Sequence, residues 1–305
     1  MVPSPGVGLN PGAELPGSRG HRRRLILIGS LLSFTTACFS GGEGTDASAL
    51  LPLLAVAAGS ATANCPSSTA IDGAALADVV TSAPGANAAE LFKDPAKAVN
   101  GVCGSGTGAG SFDVYSIPAT GANAVLTLEW SGRRVTNGTG ADFVVFENPF
   151  YQNNDSSTRF MEPAVVEVQD QITGDWCGFA PDYAPTGAET VYSQNPTHWQ
   201  NFAGVTPVLY NQVSNPLGAP QVFDSALAGG DGFDLSNLSA ANQFGNGCSS
   251  TARGNILANG FVYLRIRPAA ALTNPDSAAA FPQDTGAFGG GPDIDGVVAR
   301  YVVVR

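Results

Sequence analysis

From Cys65 onward the chain never holds an apolar period of about 3.6 residues. Its apolar runs are short, rich in Val, Phe and Tyr, and cut by turn residues at close intervals. With 38 Gly and 21 Pro among 305 residues, that punctuation suits an all-β protein with a substantial core. Strands are expected over 77–82, 111–117, 124–130, 142–147, 164–169, 176–179, 261–267 and 297–304. FVVF at 143–146 is apolar on both faces and reads as a central strand. Val166 and Val168, and the alternation of Tyr263, Arg265 and Arg267 with Val262, Leu264 and Ile266, read as strands with one wet face. Two stacked antiparallel sheets, a β-sandwich, accommodate both kinds. The one helical piece expected is 88–93, ending before Pro95.

The N-terminal part is of another character. Arg22 to Arg24 precede an apolar run over 25–34 and then Thr-Thr-Ala-Cys. This is the three-part pattern of an export signal, and the run is too short for an ordinary membrane span. The segment ending at Cys38 resembles a bacterial lipobox, with Thr35 where an aliphatic residue is usual. That resemblance implies diacylation of Cys38 and a mature chain held to a membrane through lipid. The expected organisation is a leader over 1–37, a tether with a short apolar segment over 38–64, and a single β-sandwich domain over 65–305.

Five cysteines are an odd count for an exported protein until Cys38 is assigned to lipid. Cys65, Cys103, Cys177 and Cys248 then allow two disulfides in three connectivities, and sequence proximity favours Cys65 with Cys103 and Cys177 with Cys248. The net charge is −11; removing the leader takes four Arg and one Glu, leaving 10 bases against 24 acids, or −14. Such a surface repels phosphate backbones, so nucleic acid is not an expected partner.

The segments DPAKAVNGV (94–102), VLTLEW (125–130), VVEVQDQITGDWCGF (165–179) and ARYVVVR (299–305) resemble, in that order, the motifs of galactose-binding-like β-sandwiches of jelly-roll type. GRRVTNGTGADFVVFENPF, FMEPAVVEVQD, NFAGVTPVLYN, AGGDGFDL and GGPDIDGVVARYV together resemble a spirochaete-type surface lipoprotein family of unknown function, over residues 95–305. The family resemblance implies an exported protein of the cell envelope, an outer-membrane lipoprotein at the surface or facing the periplasm. It brings no activity with it.

Chemistry concentrates in carboxylates. Asp293 and Asp295 in GGPDIDG lie one residue apart on an extended segment, on the same side, with Ile294 turned inward. They are a start for an oxygen-rich calcium site, or else an acidic turn accepting backbone N–H bonds. The galactose-binding-like resemblance implies a structural Ca2+ between the early loop and the last strand, with Asn100 and Asp94 as further ligands. Asp142 and Glu147-Asn148 bracket FVVF and read as strand-end residues, with a second metal or ligand site as the alternative. Asp231 and Asp234 sit in a similar Gly-rich setting without EF-hand spacing. A more distant acid–base pair such as Glu147 with Asp293 is not singled out by the sequence.

His198 is the sole histidine after the leader, and no G-x-S-x-G elbow or phosphate loop occurs, so no catalytic set is expected. The Asn/Pro/Gly-rich region between about 180 and 260 is either a binding surface or loops packed on the sandwich edge, with Trp199 and Tyr210 filling satellite cores. Phe150, Tyr151 and Trp199 lie in expected loops and are the candidates for stacking on a sugar ring. The expectation is a binding or adhesion module, for glycans or an extracellular protein, and not an enzyme. The competing expectations are an envelope glycan hydrolase using carboxylates, and a structural surface lipoprotein without a small ligand.

Overall fold

Alternating side chains build the two main sheets. The computed structural model describes residues 70–305 apart from 72, 87–91, 171–173, 240–247, 276, 279 and 283–289. The leader, Cys38, the tether, Cys65 and most of the expected helix over 88–93 therefore lie outside the described residues. Among the described residues no helix is long and apolar enough to cross a membrane.

The first sheet runs in the order β1 (Ala70–Ile71), β2 (Ala74–Leu76), β17 (Gly296–Ala299), β7 (Phe143–Phe146) and β14 (Asp231–Phe233). The second runs β11 (Cys177–Gly178), β10 (Ala164–Gln169), β15 (Tyr263–Pro268), β5 (Leu126–Glu129) and β3 (Val79–Ser82). Neighbouring strands in both are antiparallel. Among the described residues four two-stranded ribbons add to the pairing: β4 (Tyr115–Ser116) with β16 (Asp293–Ile294), β6 (Arg133–Val135) with β18 (Val302–Val304), β8 (Phe150–Gln152) with β9 (Asp155–Phe160), and β12 (Asp182–Tyr183) with β13 (Trp199–Gln200).

One apolar cluster joins the sheets. Leu126, Leu128, Val166, Val168, Leu264 and Ile266 of the second sheet meet Phe143, Val145, Phe233 and Val297 of the first. Trp130, fully buried among them, donates its indole N–H to the Ala75 carbonyl at 2.9 Å, so the ring is buried without losing its hydrogen bond. Each large side chain buried this way contributes roughly 1.5–3 kcal/mol.

Strand β7 is central, as its composition requires. Its alternate residues Val144 and Phe146 face a second cluster with Val208, Tyr210, Val222 and Ala228. A third cluster holds Met161, Val165, Trp199, Phe202, Ala269 and Phe281. The 180–260 region therefore contributes apolar side chains to two packed layers flanking the sheets.

Two expectations are corrected. The outward face of β10 is buried, whereas β15 alternates as expected with Tyr263, Arg265 and Arg267 half-buried: Glu167, 1% exposed, accepts from Arg265 at 2.7 and 3.0 Å and from Arg267 at 2.9 Å. Trp176 covers Arg265, with its ring centre 4.4 Å from the guanidinium carbon. The expected strand over 297–304 is interrupted at Arg300 and Tyr301: the Arg300 N–H still bonds the Asp142 carbonyl at 2.8 Å, opposite it in the register with β7, and the chain then resumes as β18 beside β6.

Helices are minor: α1 (Ser225–Ala228) and α2 (Ser250–Asn259), the latter capped by the Ser249 hydroxyl, which accepts from Ala252 N at 3.1 Å. A disulfide joins Cys177 in β11 to Cys248 just before α2, as sequence proximity favours. Cys103 is also disulfide-bonded.

Candidate functional site: an acidic nest and an aromatic hairpin

The ends of β7, β14 and β16 bring carboxylates together. Register sets this: Val145 pairs with Asp231 on one side and Val297 on the other, so the residues just past Phe146 lie beside Asp231 and the GGPDIDG segment. Glu147 follows directly, 2% exposed, and its Oε1 accepts from the Asp293 N–H at 2.9 Å. Its Oε2 is buried and has no hydrogen-bond partner. Asp293 accepts from the Ser116 hydroxyl and from the Asn148 side chain. Asp231 accepts from the N–H groups of Val205 at 2.9 Å and Thr206 at 3.4 Å.

Gly204 closes the nest. Its φ is +82°, and a Cβ there would stand 3.0 Å from the Glu162 carbonyl oxygen and 3.1 Å from Glu147 Oε2. A side chain there would crowd both oxygens, and the left-handed backbone favours glycine.

Burial governs the electrostatics. It pushes the Glu147 carboxyl well above its ordinary range, Asp293 raises it further, and the N–H bonds from Asp293 and Asn148 offset part of the rise. Asp293 is pushed up to about 6 by burial against the bonds from Ser116 and Asn148. Asp231 is likewise pushed up to about 6 by burial, against N–H bonds from Val205, Thr206 and Gly204.

The four residues expected to hold calcium part ways. Between Ile294 and Gly296 the chain changes partner, from Tyr115 in β4 to Phe146 in β7. Asp293 consequently meets Ser116, while both oxygens of Asp295 accept the Cys103 N–H at 3.0 Å. Burial holds Asp295 well above its ordinary range, with that N–H bond opposing and Asp113 adding to the rise. Asn100 donates to Asp113 at 2.9 Å, and Lys97 bonds the other oxygen of Asp113. Asp94 is exposed and caps the turn Pro95–Val99 by accepting from Ala96 N. The early loop and the last strand do meet, but through the backbone of Cys103. Among the described residues no three His, Cys, Asp or Glu side chains form a group that could hold a metal ion.

Asp142 is structural. Fully buried, it accepts from Gly138 N and Leu235 N, both at 2.7 Å, and ties the start of β7 to the end of β14. Asp234 accepts from Ser236 N at 2.8 Å as a turn cap. His198 places Nδ1 2.7 Å from Glu189 Oε1 and Nε2 3.4 Å from the Thr186 hydroxyl. Glu189 also accepts from Asn195 N at 2.9 Å and Tyr183 OH at 3.1 Å. Its carboxylate thus clasps the 183–198 segment.

The aromatic candidates divide as well. Trp199 is 4% exposed and packed against Tyr183, Phe202 and Phe281, with ring centres 4.0, 5.0 and 5.8 Å away, so it offers no face to a ligand. Phe150 and Tyr151 sit on the surface hairpin β8–β9. Phe150 stacks on Phe160 at 4.9 Å, and Tyr192, 46% exposed, lies 5.2 Å from Phe160. Arg159 lies 5.2 Å over the Tyr151 ring and donates to the Val205 carbonyl, which links this hairpin to the loop that holds Asp231. The turn places Asn153 and Asn154 at φ of 53° and 61°, a two-residue hairpin signal present in the sequence as Asn-Asn.

Fold and site together define an all-β protein of two antiparallel sheets, with a buried acidic nest at the strand ends and an aromatic hairpin beside it. Comparison with protein-family models, curated proteins and solved structures finds no match for this chain.

Proposed function

We propose that this chain is a lipid-anchored protein of the cell envelope whose sandwich, of jelly-roll and galactose-binding-like type, acts as a glycan-binding module. The observation that carries the proposal is the surface face of Phe150, Phe160 and Tyr192 on and beside the β8–β9 hairpin. A flat apolar ring face flanked by polar groups matches the apolar face of a sugar ring. Arg159 over Tyr151, and the exposed Asp155 and Ser156 of the same hairpin, supply polar groups at its margin.

A glycan array probed with the full chain tests this. Retention of a defined glycan, weakened by about tenfold in Tyr192→Ala, corresponds to loss of about 1.4 kcal/mol of contact and supports the proposal. An array blank for the wild type sinks it and favours a structural lipoprotein. Radioactive palmitate incorporated by the wild type and lost in Cys38→Ala supports the anchor; equal labelling of both refutes it.

A hydrolase reading has one observation in its favour: Glu147, with its raised pKa, beside Asp293, is the kind of pair that protonates a glycosidic oxygen. Glu147 is 2% exposed, however, and a general acid must touch the bond it cleaves. Turnover of chromogenic glycosides, abolished in Glu147→Gln, would restore that reading.

A further inference from the structure

The outer edge of β18 is open. The strand pairs with β6 in antiparallel register, Val302 with Val135, Val303 with Arg134 and Val304 with Arg133. The Thr136 N–H bonds the Tyr301 carbonyl and the Arg305 N–H bonds the Gly132 carbonyl, both at 2.9 Å. By the alternation of an antiparallel ladder, Tyr301, Val303 and Arg305 therefore turn their backbone groups toward β6. Val302 and Val304 turn theirs away, and among the described residues those N–H and C=O groups have no hydrogen-bond partner. Such an edge is a template for another strand, and Val-Val-Val carries no lysine, proline or bulge to blunt it. Val303 is 46% exposed and Val304 84%. Beside Val302 and Val303 lies a groove of about 500 Å³, lined also by Gly73 and Ala74 at the entry to β2, by Thr136 and by Arg300. That volume is typical of a ligand cleft.

Arginine sets the sign of what fits there. Four of the ten bases after the leader, Arg133, Arg134, Arg300 and Arg305, lie on or next to this ribbon of a chain whose net charge is −11. Arg133 pairs with Asp78 and Arg305 with Glu129. Arg134 donates to the Asn259 carbonyl at 3.3 Å and Arg300 to the Thr139 carbonyl at 3.4 Å, and among the described residues neither forms an ion pair. Asp142 interacts with the Arg300 charge, but its oxygens are taken by the N–H groups of Gly138 and Leu235. The Arg300 guanidinium also stands 5.4 Å from the ring centres of both Phe223 and Tyr301, which hold it in place.

We infer that the β18 edge and its groove dock an extended acidic segment of a partner protein, added as a strand beside β18 with an Asp or Glu side chain on Arg300. The partner's carbonyls accept from the Val302 and Val304 N–H groups, and its N–H groups donate to their carbonyls. Main-chain bonds supply affinity in this mode, and the guanidinium selects a carboxylate. None of these groups belongs to the β8–β9 hairpin, so the inference and the glycan proposal stand or fall separately.

Panning a random peptide library against the full chain tests it, followed by fluorescence-polarisation titration with the selected peptide. The selected sequences carry Asp or Glu within a β-forming run, and their binding weakens as salt is raised. Arg300→Gln and Val304→Pro each lower the affinity by about tenfold, the effect of one lost hydrogen bond. Proline at 304 removes an N–H that points away from β6, so the ladder to β6 survives and the urea midpoint stays at the wild-type value. Lost docking is thereby distinguished from lost folding. Amide exchange at Val302 and Val304 slows in the complex. Failure to select any peptide, selection of sequences without acidic residues, or binding unaltered by either substitution overturns the inference. Self-association of the peptide-free chain in sedimentation velocity, abolished in Val304→Pro, overturns it too and assigns the edge to a second copy.

Discussion

Glu147, Asp231 and Asp293 put a sign on the pH dependence of the fold. Asp231 and Asp293 rise from an ordinary 3.8 to about 6, so between those values the folded state holds protons that the unfolded state has released. The contribution of these groups to stability is therefore fullest near pH 4 and falls as pH rises through about 6, by on the order of 2–3 kcal/mol per group. Glu147, also raised by burial, adds a contribution of the same sign. Urea unfolding between about pH 4.5 and 7 measures this, with the difference between wild type and Asp231→Asn isolating one group. A difference that does not change across this range would show that burial does not hold Asp231 protonated. These residues were individually visible as acids in Gly-rich or strand-end settings. Their convergence was not, because it depends on pairing between segments far apart in the chain.

Among the elements, legibility followed the strength of the alternation. Strand β10 matches its expected span at both ends, because six consecutive positions alternate between two distinct environments. The second environment was misjudged: Glu167 looks like a solvent residue, yet Arg265 and Arg267 across the ladder bury it. Burial alone would raise its pKa, but the two guanidiniums outweigh this and hold it below its ordinary value. Glu167→Gln removes the buried carboxylate that pairs two half-buried guanidiniums and is expected to cost about 3–5 kcal/mol, read as a lower urea midpoint at pH 7. A cost under about 1 kcal/mol would place the cluster in the class of solvated surface pairs. Helix α2 escaped notice because STARGNILAN buries only Ala252 and Ile256 and carries Gly254 in its middle. Its capping serine and its packing hold it, and neither produces an apolar stripe.

At the scale of the whole molecule, the Cys177–Cys248 bridge spans 71 residues that include Gly204 and Asp231. Opening it frees the segment that supplies half of the acidic nest. By loop-closure entropy, paired Cys177→Ser and Cys248→Ser substitutions are expected to cost about 2–5 kcal/mol, measured as ΔG of unfolding in urea. An unchanged unfolding free energy would mean that this segment is held by its apolar layers alone. The sequence by itself determined the class: short alternating runs between turn residues can bury one side only by stacking antiparallel sheets, and period and turn chemistry are properties of near neighbours. The tertiary structure alone decided which carboxylates meet. Asp293 and Asp295 differ by one residue and would share a side on an uninterrupted strand. The chain changes partner between them, and that switch sends one carboxylate to Ser116 beside Glu147 and the other to the Cys103 backbone. Strand pairing at long range sets that geometry, and no local pattern encodes it.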